Sequence, residues 1–177
     1  MAIELERSSM NRIKVVSELA ELVPILRAVD TEVKREVFRE VADEWRTANQ
    51  IEQKYGREGV EALHFFEKLK LVETKWQTSV TSSPEKAYHA FYGSFHINAS
   101  APVQEISDIL SVAVMPETKY KKIEEKLYKS VGEKGDEGKF AGDLADELKV
   151  SQMMLRALVK RSSRLDFRGH RVQRFED

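Results

Sequence analysis

From Ser17 to Ala28 (SELAELVPILRA) apolar residues return every three or four positions, so Leu19, Leu22, Val23, Ile25 and Leu26 gather at helical spacing. Thr31 to Trp45 (TEVKREVFREVADEW) repeats the pattern, with Val33, Val37, Phe38 and Val41 on one stripe. Thr31 stands where a hydroxyl can accept an orphan N–H of a first helical turn. Thr47 to Gln50 (TANQ) has the form of a capping box and opens a short helix through Gln53. KYGREG (Lys54 to Gly59) interrupts the period before VEALHFFEKLKLV resumes it. The pattern predicts helix, tight turn, helix.

Beyond Leu71 the period shortens. LVETKW (Leu71 to Trp76) and AYHAFYGSFHI (Ala87 to Ile97) are rich in β-branched and aromatic residues around the polar loop QTSVTSSPEK, which predicts a β-hairpin. A proline-started helix, Ala101 to Met115, follows, and PETKYKK reads as a linker. The plan then repeats in miniature: a helix from Lys122 to Gly135, a short one from Phe140 to Lys149 with Leu144 and Leu148 inward, and a third capped by Ser151. Leu155, Leu158, Val159 and Ser162 form the third helix's inner face, and LDFRGHRVQRF closes the chain as a hairpin turning at Gly169. The expected fold is mainly α with small β-hairpins (α+β), in two winged helix-turn-helix domains spanning residues 1–115 and 116–177.

The order of elements, with GVEALHFFEKLKLVETKW followed by AYHAFYGSF, resembles the ArsR type of winged helix as found in archaeal regulators, over roughly Ser17 to Met115. That resemblance implies a DNA-binding transcriptional regulator acting by promoter occupancy, with outer helices paired in a homodimer. Metal-sensing relatives use Cys in the third helix, or paired Asp and His in the last. TANQIEQ and PVQEISDIL offer neither set, so metal sensing is not carried over. DLADELKVSQMMLRALVKRSS resembles the general helix-turn-helix pattern, with Lys149 where such turns often carry Gly.

Charge sharpens this picture. The whole chain carries −1, yet Val150 to Asp177 holds seven basic residues against three acidic ones, so the first 149 residues carry about −5. Gln152, Arg156 and Lys160, spaced by four, share the helix face opposite the apolar stripe. Arg161, Arg164, Arg168, His170, Arg171 and Arg174 extend the positive field into the wing, where guanidinium groups can pair with phosphates or bases in fork geometry. A basic run alone is usually a solvated surface. A basic helix followed by a basic wing points to duplex DNA.

The first domain differs. Glu58, Glu61 and Ala62 are expected to point outward from its recognition helix, with Arg57, His64, Lys68 and the wing's Lys75 as basic candidates. Carboxylates repel phosphates, although Glu can accept from the cytosine amino group, so DNA contact and packing or dimerisation both stay open. Leu19, Leu22 and Leu26 of the first helix, with Val103, Ile106, Ile109 and Leu110, are more apolar than one small domain needs and are expected to form the dimer interface.

Other chemistry finds little support. There is no Cys, which removes disulfides and thiolate sites. No apolar run reaches signal-peptide or membrane-helix length, so a cytoplasmic protein without membrane contact is expected. Phe65, Phe66, Phe91, Tyr92 and Phe95 lie within periodic elements and are expected in the core rather than stacked on bases. His89 and His96, seven apart in or beside a strand, fall on opposite faces, so no shared metal site is expected. GEKGDEGK lacks the lysine-hydroxyl ending of a phosphate loop and follows a helix. With no nucleophile–base pair and no cofactor fingerprint, the sequence predicts neither an enzyme nor a cofactor. A tandem winged-helix adaptor in a chromosome or transcription complex, or an RNA-binding protein, remains the alternative.

Overall fold

The structure is a computed structural model that describes residues 12–78, 83–132 and 137–175. The start of the chain, the tip of the QTSVTSSPEK loop, the middle of GEKGDEGK and the last two residues lie outside them, and with them the phosphate-loop reading. The chain divides into two compact units, Met1–Val16 with Ala28–Asn98, and Ser17–Arg27 with Ala99–Asp177.

The elements run β1 (Ile13–Val16), a 3-10 turn (Leu19–Glu21), α1 (Leu22–Ala28), α2 (Glu32–Asp43), β2 (Arg46–Thr47), α3 (Ala48–Lys68), β3 (Val72–Thr78), β4 (Pro84–Ala90) and β5 (Ser94–Ile97). The first helix begins later than its apolar pattern suggested. Pro24 has no N–H to donate and is tolerated only near a helix start, so α-helix begins at Leu22 after the 3-10 turn. In the first unit, Thr31 caps α2 by accepting from the Lys34 N–H at 3.2 Å. Thr47 and Gln50 complete the capping box of α3. Gly56, at φ +67 and ψ −159, breaks α3 into the predicted short helix, turn and recognition-position helix. Gly59 sits just beyond, where a β-carbon would come within 2.8 Å of Tyr55 and Ile51, so only glycine lets the second piece close on the first.

The hairpin β3–β4 and the short β2 form a sheet in the order β2-β4-β3, and the core beneath it gathers Val37, Val41, Ile51, Leu63, Phe66 and Tyr88. Phe38 meets Phe66 edge to face at 5.2 Å. The strand expected as Ala87 to Ile97 is two strands. β4 starts at Pro84, a first-residue position beyond the reach of β2 where the missing N–H costs little, and ends where β3 begins, at the Val72–Ala90 pair. The chain then turns through Phe91 to Gly93, and β5 pairs in parallel with β1, a ribbon additional to the two expected hairpins.

The second unit adds α4 (Val103–Ala113), α5 (Glu117–Gly132), β6 (Lys139–Phe140), α6 (Ala141–Leu148), α7 (Gln152–Arg161), β7 (Leu165–Arg168) and β8 (Arg171–Arg174). Its sheet order, β6-β8-β7, repeats that of the first unit. Each unit thus carries helix, short strand, helix-turn-helix and hairpin.

Two expectations are corrected here. PETKYKK is not a linker, because α5 begins at Glu117 and Tyr120 is buried, its hydroxyl donating to the Leu158 carbonyl at 3.0 Å. One apolar anchor among Lys, Glu and Thr looked like loop. The compact units also do not part at Met115. Leu19, Ala20, Val23, Ile109 and Val112 share one core with Leu144, Leu155, Leu158 and Leu165, so α4 and Ser17–Arg27 group with the C-terminal elements.

Candidate nucleic-acid interface

The helix that carries the basic face is set by local chemistry at both ends. Before it, Lys149 takes the left-handed conformation, φ 55 and ψ 46, and closes α6. Its N–H donates to the Asp146 carbonyl and that of Val150 to Ala145, the paired bonds of a Schellman motif. Ser151 then caps α7, accepting from the Met154 N–H at 3.0 Å. Leu155, Leu158 and Val159 are buried beneath. At the far end the buried Ser162 hydroxyl accepts from the N–H groups of Arg164 and Leu165, which directs the chain into the wing. Gly169, at φ +60, turns β7 into β8 with Arg168 opposite Arg171.

Gln152, Arg156, Arg168 and His170 are exposed, while Lys160 and Arg171 are half-buried. Arg156 lies 3.4 Å from the Glu18 carboxylate and 5.8 Å from the Phe167 ring centre. Arg171 stacks on Phe140 at 4.0 Å and donates to the Gly138 carbonyl at 3.1 Å. Between α6, α7 and the wing lies a cavity of about 310 Å³ lined by Phe140, Ala141, Gly142, Gln152, Arg156, Phe167, Gly169 and His170. None of its lining residues is acidic. Phe140 and Phe167 were not picked out from the sequence, yet each flanks a wing or helix arginine, and their place beside the hairpin was the available signal.

Three of the predicted contacts are committed elsewhere. Arg161 is buried and cannot reach a duplex: its Nη1 donates to the carbonyls of Val112 and Met115, both at 2.7 Å, and its Nη2 to Glu117 at 2.8 Å. It follows Gln152 by nine residues, half a turn out of phase, so helical geometry places it on the inner side. Arg164 pairs with Glu125 at 2.9 Å, a hydrogen bond that holds the carboxyl below its ordinary pKa. Arg164 and Arg174 lie on the ring of Tyr128, at 3.8 and 4.0 Å, and Arg174 also donates to the Tyr128 carbonyl. These two arginines brace the wing against α5.

On the first unit's recognition-position helix, Arg57 is spent on Glu61 at 3.0 Å, and Glu58 and His64 are exposed. Ala62, expected outward, is buried in the core, and Lys68 is half-buried. Lys75 sits over the Trp45 ring at 4.0 Å. Of these four basic candidates, Arg57 is matched by an acid on its own helix and Lys75 by an aromatic ring.

The expected dimer residues also divide. Leu19 and Ile109 belong to the second unit's core, and Leu22 packs on it. Leu26, Val103, Ile106 and Leu110 are exposed, as is Val114. Among the described residues no group of three His, Asp or Glu could hold a metal ion, and no helix is long and apolar enough to cross a membrane.

A protein-family model described as ArsR transcriptional regulator matches residues 16–176, a span that runs through the described parts of both units. No curated protein matches the chain.

Proposed function

Because the chain belongs to the ArsR transcriptional regulator family, a family of DNA-binding regulators of transcription and not of enzymes, we propose that it binds duplex DNA as a homodimer and regulates by occupying promoters. In this reading the two units are two winged-helix domains. The second holds DNA through Gln152, Arg156 and Lys160 on α7 and through Arg168, His170 and Arg171 on the wing. The observation that carries it is the cationic face around α7, where Lys160 and Arg168 have no acidic partner among the described residues and no carboxylate lines the adjoining cavity. Phosphates are the natural counter-charge for such a face, and a helix beside a wing suits a major groove with its flanking backbone.

Dimerisation is proposed through the outer face of α4. Val103, Ile106, Leu110 and Val114 recur at helical spacing, and Val103 and Val114 are 79% and 77% exposed. An apolar stripe of that length, left open to water, gains by meeting its two-fold mate. The exposed Glu58 and Glu61 of the first unit favour a second reading, in which that unit docks a protein instead of DNA. Fluorescence anisotropy with selected genomic duplexes, scrambled duplex and RNA across a salt series decides. Tight, salt-dependent binding that prefers the selected duplex is expected. Equal binding to RNA, or no binding to any nucleic acid by the folded protein, would transfer the assignment to the alternatives.

A further inference from the structure

We infer that Arg161 and Asp108 are positioning residues that lock the recognition helix α7 to α4 and so set which spacing between two DNA half-sites the dimer accepts. This rests on the reading above, in which α4 pairs two copies and α7 meets the duplex. The geometry starts from α4, which has two unlike faces. Ile109 and Val112 are buried against the core that holds Leu155 and Leu158 of α7. Roughly a third of a turn round the same helix, Val103, Ile106, Leu110 and Val114 are exposed. One helix therefore separates the recognition helix from the face that a second copy covers, an interaxial distance of about 8–10 Å.

Apolar contact alone would let α7 tilt or slide on α4, because burial is non-directional. Directional bonds at both ends of α7 remove that freedom. At its start, the Ser151 hydroxyl that caps the helix also donates to the Asp108 carboxylate at 2.7 Å. At its end, Arg161 reaches across to the α4 terminus and grips the Val112 and Met115 carbonyls with one nitrogen and Glu117 with another. Glu117 is held in turn by Arg27 at 3.0 Å. Tyr120 lies under the guanidinium at 4.2 Å and donates to the Leu158 carbonyl, tying α5 into the same junction. The planar fork of an arginine fixes direction as well as distance, which a lysine cannot do. The Arg161 and Asp108 ties span the length of α7 and both end on α4.

The consequence appears on DNA. Moving a half-site by one base pair shifts it by about 3.4 Å and turns it by roughly 35° around the duplex, and dimers accept half-sites about one helical turn apart or multiples of it. A rigid α7–α4 junction cannot follow such a change. A loosened one can.

The test uses the full chain, with duplexes that carry one half-site or two half-sites at spacers varied by one and two base pairs. Anisotropy reads affinity, sedimentation reads the dimer and circular dichroism reads the fold. Wild type is expected to lose about tenfold or more per base pair of wrong spacing, the scale of one poorly met contact set. Arg161→Lys and Asp108→Ala are expected to stay dimeric and to keep single half-site affinity within about threefold, while the spacing preference flattens to a similar factor. Asp108→Ala leaves the Ser151 cap intact, so it carries the test if Arg161→Lys fails to fold. Folded variants that discriminate spacing as sharply as wild type overturn the inference, and so does a wild type indifferent to spacing. A wild type that ignores single half-sites or stays monomeric overturns the functional reading first, and the inference falls with it.

Discussion

In the first unit the turn ahead of the recognition-position helix is made by Gly56, at φ +67 and ψ −159, whereas in the second the matching place is held by Lys149, at φ 55 and ψ 46. The helices that follow differ as well. One presents Glu58 and an Arg57–Glu61 pair, the other Gln152, Arg156 and Lys160 without an acid among them. Strand order is the same in both units. One topology therefore accommodates two turn chemistries and two surface charges, and the topology alone does not say which unit meets the nucleic acid. The distinction lies in side chains, and single substitutions can probe it.

The largest effect is expected from charge. Lys160→Glu with Arg168→Glu should weaken binding to every duplex by about 100-fold or more, since charge-assisted contacts contribute roughly 1.5–3 kcal/mol each. The logarithmic salt dependence should become shallower by about 0.9 per lost phosphate contact. The matching change in the first unit, Glu58→Gln with Glu61→Gln, removes only an exposed pair with Arg57 and should alter affinity by less than about threefold. Anisotropy at several salt concentrations measures both. A first-unit variant with the larger effect would reverse the assignment of roles.

Where the sequence was legible, the information was local. Thr31, Thr47 and Ser151 cap the helices they were expected to cap, and Gly169 turns the hairpin it was expected to turn, because each acts within three or four residues. The parallel β1–β5 ribbon joins residues some eighty positions apart through the four-residue IKVV, too short to show a period. The candidate site was legible in its positive charge and not in its allocation. Gln152, Arg156 and Lys160 follow from a step of four, but Arg164 and Arg174 are drawn to Tyr128, whose ring lies on a helix more than thirty residues earlier. Asp108, likewise, has no local sign of its bond to Ser151.

The next effect is on assembly. Ile106→Glu with Leu110→Glu changes two exposed residues, so the variant should fold, sediment as a monomer and lose about tenfold or more in affinity for paired half-sites while keeping single-site binding. Ile109→Glu, one position away but 1% exposed, buries an unpaired charge and should instead unfold the second unit. The first unit has no counterpart of this two-faced helix among its described elements. A dimer that persists in the folded double variant would move the interface elsewhere.

Smaller effects test the turns. Gly56 occupies a backbone region open almost only to glycine, and a β-carbon there would meet nothing within 4 Å. The cost of Gly56→Ala is therefore backbone strain alone, about 1–3 kcal/mol, read by urea denaturation. A loss below about 0.5 kcal/mol would mean that the turn relaxes to another conformation, contrary to the contrast drawn between the two units.

Lys149→Gly is the smallest change and runs in the opposite direction. Lys149 occupies the left-handed position of a Schellman motif, where a β-carbon crowds the following carbonyl oxygen by about 1–2 kcal/mol. Glycine removes that crowding but adds freedom to the unfolded chain, which takes back about 0.4–1 kcal/mol. Lys149 is exposed, and no contact of its side chain enters the balance. The net expectation is a gain of roughly 0.5–1 kcal/mol in the stability of the second unit, measured by urea denaturation under the same conditions. Both backbone bonds of the motif, Lys149 to Asp146 and Val150 to Ala145, are kept. The start of α7 should then stay in place, and duplex affinity should move only by the loss of one peripheral charge, visible as a slightly shallower salt dependence. Destabilisation by Lys149→Gly would show that the second unit's turn depends on its lysine for more than backbone conformation. The two turns would then differ in their dependence on a side chain as well as in the backbone region that each occupies.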